Sequence, residues 1–94
     1  MLLTVLATIK ARNDTADKVR ARLSKLVEPT RKEKGCVEYT LYQDNDNPSV
    51  FIFYENWESQ TDLDAHMKSA HFKECFAAIE GMFDLEVHRM SEVF

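Results

Sequence analysis

The 94-residue sequence has few of the residues that mark specialised protein classes: two cysteines, two glycines, two prolines and one tryptophan. Cys36 and Cys75 lie far apart and form no CxxC motif, which argues against a metal knuckle and is typical of free thiols in a reducing compartment. No apolar run approaches the roughly 20 residues that span a bilayer, and the first residues lack the basic segment of a signal peptide. A cytoplasmic protein is therefore expected, with no membrane partner.

The sequence also lacks an excess of positive charge. Its net charge is −4, and lysines and arginines alternate with acidic residues along the chain. Without a basic stripe to neutralise phosphates, nucleic-acid binding is not expected. The length predicts a single domain over residues 1–94 with one thin core, so a second apolar surface should find a partner.

The hydrophobic pattern predicts the element order β-α-β-β-α-β. Strands are expected over residues 2–9, 36–43, 50–57 and 84–93, with a polar turn over 44–49. In the second strand, Val37, Tyr39 and Leu41 are expected to share one face. A first helix should follow Thr15 and end before Gly35, and a second helical region should consist of two pieces.

This order is the split β-α-β, or ferredoxin-like, plan: an α+β fold with a four-stranded antiparallel sheet and helices on one face. The strand over 50–57 is apolar on both sides, with Phe53 and Trp57 facing one way and Ile52 and Tyr54 the other. Because the helices can cover only one face, the pattern predicts a homodimer formed through the bare sheet faces.

Three short motifs occur in order along the chain: Gly35-Cys36 followed by Tyr39, then Glu55-x-Trp57, then His66-x4-His71-Phe72. Together they resemble the antibiotic biosynthesis monooxygenase family over residues 2–93. The resemblance implies a dimeric α+β barrel, with a pocket between the sheet and the helices of each subunit. It also implies that O2 oxidises a small quinol, phenolic or polyketide-like aromatic substrate without metal, flavin or other cofactor, because an electron-rich phenolate can itself reduce oxygen.

The residues at three positions also bear on haem degradation, another activity of the family. Haem-degrading members carry Asn, Trp and His at positions that match Ala7, His66 and Phe76 here, so haem degradation is not expected. Two alternatives remain open: an isomerase or other proton-transfer enzyme on a small carbonyl compound, with or without a phosphate group, and a non-catalytic dimeric module that binds a small ligand. Basic residues in the pocket would favour the isomerase, and a core without a cavity would favour the module.

The candidate catalytic residues are His66, His71 and Glu55. His66 should face the sheet, either as a buried histidine bonded to backbone or as a general base. His71 falls in the first turn after Ser69, where it is either a surface histidine or a neutral base. On one continuous helix the two rings would point about 140° apart. They converge only if the helix breaks near Ser69, and in that case both are expected to flank the mouth of the pocket.

Glu55 lies on an apolar strand face, where a carboxylate needs a partner. Either an ion pair with Arg89 holds it there, or it is an acid/base with a raised pKa. The expected substrate-binding residues are aromatic, with a purely structural core as the alternative: Trp57, Tyr39, Phe53, Phe72 and Phe76. No metal site is expected, because the two histidines lack a third ligand.

Overall fold

The computed structural model of the protein describes residues 2–94 and shows the predicted order of elements. Within that range the elements are β1 (Leu3–Ala11), α1 (Ala16–Arg31), β2 (Cys36–Gln43), β3 (Val50–Trp57), α2 (Gln60–Met67), α3 (Ala70–Ala78) and β4 (Phe83–Met90). The bounds predicted for β2 and β3 are confirmed, whereas β4 ends three residues earlier than predicted. None of the helices in this range is long and apolar enough to cross a membrane.

The sheet is antiparallel, and the four strands of the described chain lie in the order β2-β3-β1-β4. The first strand pairs with the third and with the fourth, which is the ferredoxin-like arrangement. The predicted α+β, ferredoxin-like fold is confirmed. The sheet is open at β2 and β4, so a closed barrel requires a second copy of the chain.

The core lies between one face of the sheet and the helices. Alternate residues of β1 and β3 face it because strand side chains alternate with a period of two, and one stripe of α1 covers them. Burying each large apolar side chain stabilises the fold by about 1.5–3 kcal/mol. The fully buried members are Ile9, Val19, Leu23, Leu26, Phe51, Phe53, Trp57 and Ile79.

A β-bulge changes the side-chain pattern at the start of β2. The register between β2 and β3 shifts between Cys36 and Glu38. The extra residue turns Val37 outward, where it is 53% exposed, while Tyr39 is buried and Leu41 packs against the core. The prediction that Val37 shares a face with Tyr39 and Leu41 is therefore wrong, because a bulge interrupts the simple alternation.

The two glycines test whether the segment that follows α1 lies close to helix α2. Gly35 and Gly81 have φ values of +80° and +79°. A Cβ at residue 35 would overlap the side chain of Asp62, whereas one at residue 81 would meet nothing within 4 Å. Alanine in the left-handed backbone conformation is destabilised by about 1–2 kcal/mol, and this applies to both variants.

We therefore expect Gly35→Ala to lower the free energy of unfolding by about 1–3 kcal/mol more than Gly81→Ala does, because overpacking adds to the backbone cost only at residue 35. Urea denaturation of both variants measures the difference. Equal losses would contradict the close approach to Asp62.

Candidate active site

The break between α2 and α3 brings two histidines together. The chain leaves the helical path at Ser69, whose backbone is extended and whose Oγ accepts a hydrogen bond from the backbone N–H of Phe72 at 3.3 Å. This cap starts α3 in a new register. The ring centroids of His66 and His71 consequently lie 6.3 Å apart. The prediction that the rings converge if the helix breaks near Ser69 is confirmed.

Glu33 lies between the two histidines, and the sequence reasoning missed it. Its Oε2 is 2.8 Å from His66 Nδ1 and 2.7 Å from His71 Nε2. The exposed fraction of the side chain rises from 2% for His66 through 16% for Glu33 to 29% for His71, so the cluster runs from the interior to the surface. Glu33 stands in the charged run Arg31-Lys32-Glu33-Lys34, which is typical of a solvated helix end, and no local pattern distinguishes it.

The cluster contains the donor types that bind transition metals. One carboxylate oxygen and two ring nitrogens lie within 4.8 Å of one another. The argument that the histidines lack a third ligand is therefore wrong. The nitrogen–oxygen distances of 2.7 and 2.8 Å are nevertheless those of hydrogen bonds, and we interpret the cluster as a hydrogen-bonded triad.

A cavity of about 300 Å³ lies between the inner face of the sheet and helices α2 and α3. Its wall is mainly apolar and aromatic. Leu85 and Val87 of β4 form one side of the cavity and are half exposed. The pocket implied by the family resemblance is therefore present, and it opens along β4.

The structure separates the predicted site residues by position. The cavity is lined by His66, Glu55, Tyr39, Phe53, Phe72 and Phe76. Trp57 is fully buried and is not part of the wall. His71 lines a separate surface depression beside Arg22 and Glu74, so the expectation that both histidines flank the pocket mouth is wrong for His71. The helix break places His71 on the far side of Glu33 from the cavity.

Glu55 is buried, and its partner is Trp57 rather than Arg89. The indole Nε1 of Trp57 donates a hydrogen bond to Glu55 Oε1 at 2.8 Å. Arg89 instead donates to Gln60 Oε1 at 3.2 Å, and Glu55 forms no ion pair within residues 2–94. The predicted ion pair is wrong because β1 separates the two strands: Val5 pairs with Glu55 on one side and Arg89 on the other.

Burial gives Glu55 the properties of an acid that titrates near neutrality. Loss of hydration raises the pKa of Glu55 to about 7, although the hydrogen bond from Trp57 opposes the shift by stabilising the carboxylate. A carboxyl group that is partly protonated near pH 7 can donate a proton as well as accept one. The predicted rise in the pKa of Glu55 is therefore present, and its role as an acid/base stays a prediction.

His66 is held as a neutral ring in an aromatic environment. The ring centroids of Trp57, Phe72 and Tyr39 lie 4.9, 5.0 and 5.4 Å from that of His66. Burial lowers the pKa of His66 below its ordinary value, although the hydrogen bond to Glu33 opposes this. Its hydrogen-bond partner is a carboxylate and not the backbone, so the expected backbone contact is wrong. Nδ1 faces Glu33, and Nε2 has no hydrogen-bond partner among the described residues.

The two thiols play no part in this arrangement. Both Cys36 and Cys75 are free cysteines. Burial raises the pKa of each thiol to about 11, so both remain protonated near neutral pH. The thiolate is the reactive form of cysteine, and neither residue supplies a nucleophile.

Comparisons with known proteins relate the sequence of this chain to one protein family. The sequence model of a family described as antibiotic biosynthesis monooxygenase matches residues 2–78. The chain is similar to the putative monooxygenase Rv0793 of Mycobacterium tuberculosis, with 37% identity over 68 residues, which are 72% of this chain and 66% of the relative. It is also similar to the probable quinol monooxygenase YgiN of Escherichia coli, with 30% identity over 90 residues, covering 85% of this chain and 86% of the relative.

The structural comparison agrees with the sequence matches. A solved structure described as an antibiotic biosynthesis monooxygenase superposes with a TM-score of 0.91 and 33% identity, and the superposition covers 99% of each chain. The chain spans only 49% of the length of another curated relative that it matches.

Proposed function

The chain belongs to the antibiotic biosynthesis monooxygenase family, and we propose that it is a cofactor-independent monooxygenase that oxidises a small quinol or other electron-rich phenol with O2. The observation that carries this proposal is the apolar cavity that contains His66 and Glu55. Burial raises the pKa of Glu55 to about 7 and lowers the pKa of His66, so a partly protonated carboxyl group and a neutral imidazole share the cavity near neutral pH.

His66 is the proposed base. Its neutral ring removes a phenolic proton and leaves a phenolate, which is rich enough in electrons to reduce O2 directly. One oxygen atom becomes bonded to a ring carbon that carried hydrogen, and the other leaves as water. A quinol with one free ring position thus yields a hydroxyquinone and water, with both oxygen atoms accounted for.

Glu55 is the proposed acid. At neutral pH part of its population is protonated because its pKa is about 7. It can therefore give a proton to the oxygen atom that leaves as water. The reaction as written uses these two side chains, the substrate and O2.

The dimensions of the cavity favour a compact planar substrate. A volume of about 300 Å³ lies at the low end of ligand pockets, which range over roughly 300–1,000 Å³. Stacked or tilted aromatic pairs form its wall, with centroids 4.8 Å apart for Tyr39 and Phe53 and 4.7 Å apart for Phe72 and Phe76. Such a wall suits a molecule of one or two fused aromatic rings.

The two alternatives fit the cavity less well. Arg89 is the one lysine or arginine that lines it within the described chain, and Arg89 is already bonded to Gln60. A phosphorylated carbonyl compound would need a cluster of cations or N–H groups. A non-catalytic module does not require two proton-transfer groups in one cavity, so the monooxygenase explains more of the site.

The direct test uses 1,4-dihydroxynaphthalene as the substrate under an atmosphere of ¹⁸O2. We expect uptake of O2 above the protein-free rate, one ¹⁸O atom in the quinone product and one in water. The same rate is expected after treatment with a chelator. Release of hydrogen peroxide without labelled product, or no rate above the protein-free control, would overturn the proposed function.

We further propose that the chain forms a homodimer through an outer patch of the sheet, defined as Leu6, Ile52 and Tyr54. These residues lie on the face opposite the helices and are only half buried in one chain. Leu6 pairs directly with Tyr54, and the next pair on that face includes Ile52, so the patch is continuous. An apolar patch of this kind tends to be covered by a partner, and a second copy makes the contact symmetric.

Ile52→Glu should convert the dimer to a folded monomer, because it places a charge within the outer patch. Sedimentation velocity at micromolar concentration measures the change. Ala21→Glu adds the same charge at an exposed position of α1 and should leave the dimer intact. A parental protein that sediments as a folded monomer would contradict the proposal.

A further inference from the structure

Three side chains connect the cavity with the protein surface. His66 lines the cavity, its Nδ1 lies 2.8 Å from Glu33 Oε2, and the same oxygen lies 2.7 Å from Nε2 of the partly exposed His71. We propose that Glu33 is a positioning residue that fixes the ring of His66 for proton abstraction, and that His71 holds Glu33 in place. This inference rests on the proposed function and adds two residues to it.

The chemistry of the carboxylate determines which nitrogen of His66 is the base. A carboxylate oxygen only accepts hydrogen bonds, so the ring nitrogen that faces it carries the proton. His66 is therefore protonated at Nδ1, and Nε2 has the free lone pair. When Nε2 takes a proton from the substrate, the resulting imidazolium lies beside Glu33, and the charge-assisted hydrogen bond stabilises it.

The backbone around Glu33 is fixed on both sides. Its N–H donates to Thr30 at 3.0 Å, and its carbonyl accepts from Cys36 at 3.2 Å. The carbonyl of Gly35 accepts from the N–H of Glu58 at 2.8 Å, which ties this segment to the end of β3. The second hydrogen bond, from His71, comes from another element, α3. The loop that contains Glu33 and helix α3 therefore both fix the position of its carboxylate, as a positioning role requires.

A surface pair in the same chain provides the matched control. His88 Nε2 lies 2.7 Å from Glu86 Oε1, and the two side chains are 54% and 67% exposed. This pair has the same chemistry as Glu33 and His66, but it is not part of the cavity wall. Any effect specific to the positioning role should appear at Glu33 and not at Glu86.

The first experiment needs no substrate and no variant. ¹⁵N NMR of the parental protein reports which ring nitrogen of each neutral histidine carries the proton. We expect His66 to be protonated at Nδ1. A ring protonated at Nε2 would overturn the positioning role whether or not quinol oxidation is found, and the expected result would stand even if the proposed oxidation failed.

The second experiment measures the oxidation of 1,4-dihydroxynaphthalene by Glu33→Gln. The amide loses the negative charge, so kcat should fall by on the order of 10²-fold, the lower end of what a general base contributes, with KM little changed. Glu33→Asp should recover part of kcat, and Glu86→Gln should keep the parental value. His71→Ala should lower kcat less than Glu33→Gln, and it should add little in the Glu33→Gln background, because the residues act as one unit.

The pH profile separates a positioning role from a merely structural one. Glu33 raises the pKa of His66, so its removal should move the acid limb of the rate profile to lower pH. The other titratable groups around His66 are unchanged in this variant. His71 from α3 and Tyr39 from β2 lie beside its ring, and Glu55, Asp64 and Arg89 line the same cavity. A folded Glu33→Gln protein with parental kcat and an unmoved acid limb would overturn the inference.

Discussion

Replacing His66 by glutamine should lower the rate of quinol oxidation by about 10²–10⁴-fold, the usual contribution of general-base catalysis. Glutamine keeps a polar side chain of similar reach but cannot take a proton from a phenol near neutral pH. Oxygen uptake with 1,4-dihydroxynaphthalene measures the loss. His88→Gln changes an exposed histidine of β4 and should leave the rate unchanged.

The titration of His66 should also appear in the pH dependence of the parental rate. The rate should rise with pH as His66 loses its proton, and the midpoint of the rise should lie below pH 6.5, because burial lowers the pKa of His66 from that value. The glutamine variant should lack this limb. If His66→Gln is folded and oxidises the quinol at the parental rate, His66 is not the base, and the phenolate must form by another route.

Glu55→Gln should remove a pH-dependent contribution of about 3 kcal/mol to the free energy of unfolding. Burial raises the pKa of Glu55 from its ordinary 4.5 to about 7 in the folded chain, so the folded state binds this proton more tightly than the unfolded state does. The resulting stabilisation is fully present below pH 4.5 and is lost as the pH rises through 7. The free energy of unfolding of the parental protein should therefore fall relative to that of Glu55→Gln across this range.

Urea denaturation of both proteins between pH 4 and 9 measures this difference, and the comparison cancels the other titrating groups. His66, whose pKa is lowered, contributes in the opposite sense: its stabilisation is present above pH 6.5 and is lost as the pH falls through its folded-state pKa. Glu58→Gln changes an exposed carboxylate at the end of β3 and should show no such difference. A constant difference between parental protein and Glu55→Gln would contradict the raised pKa.

The same titration should appear in catalysis if Glu55 is the acid. The rate of quinol oxidation should decline above about pH 7 as Glu55 ionises. In Glu55→Gln this alkaline limb should disappear and the maximum rate should be lower, because an amide cannot donate a proton to the leaving oxygen. Retention of the alkaline limb in the variant would assign it to another group.

Two positions show where sequence reasoning about the site reached its limit. His66 was placed correctly on the sheet-facing side of α2, because helical periodicity is a local property that neighbouring residues determine. Glu55 was placed correctly on the inner face of β3, but its partner was not, because Arg89 comes from a strand two positions away in the sheet. Which residues meet across a sheet depends on strand order and register.

Local patterns in the sequence predict the strands, the helices and the break at Ser69, because each depends on residues only a few positions apart. Which groups form the site depends on contacts between distant parts of the chain. Glu33 is separated from His66 by 33 positions and from His71 by 38, and it reaches both because the segment after α1 packs closely against α2 at Gly35. The outward turn of Val37 likewise follows from strand register, which depends on how whole strands pair and is not encoded in any short segment.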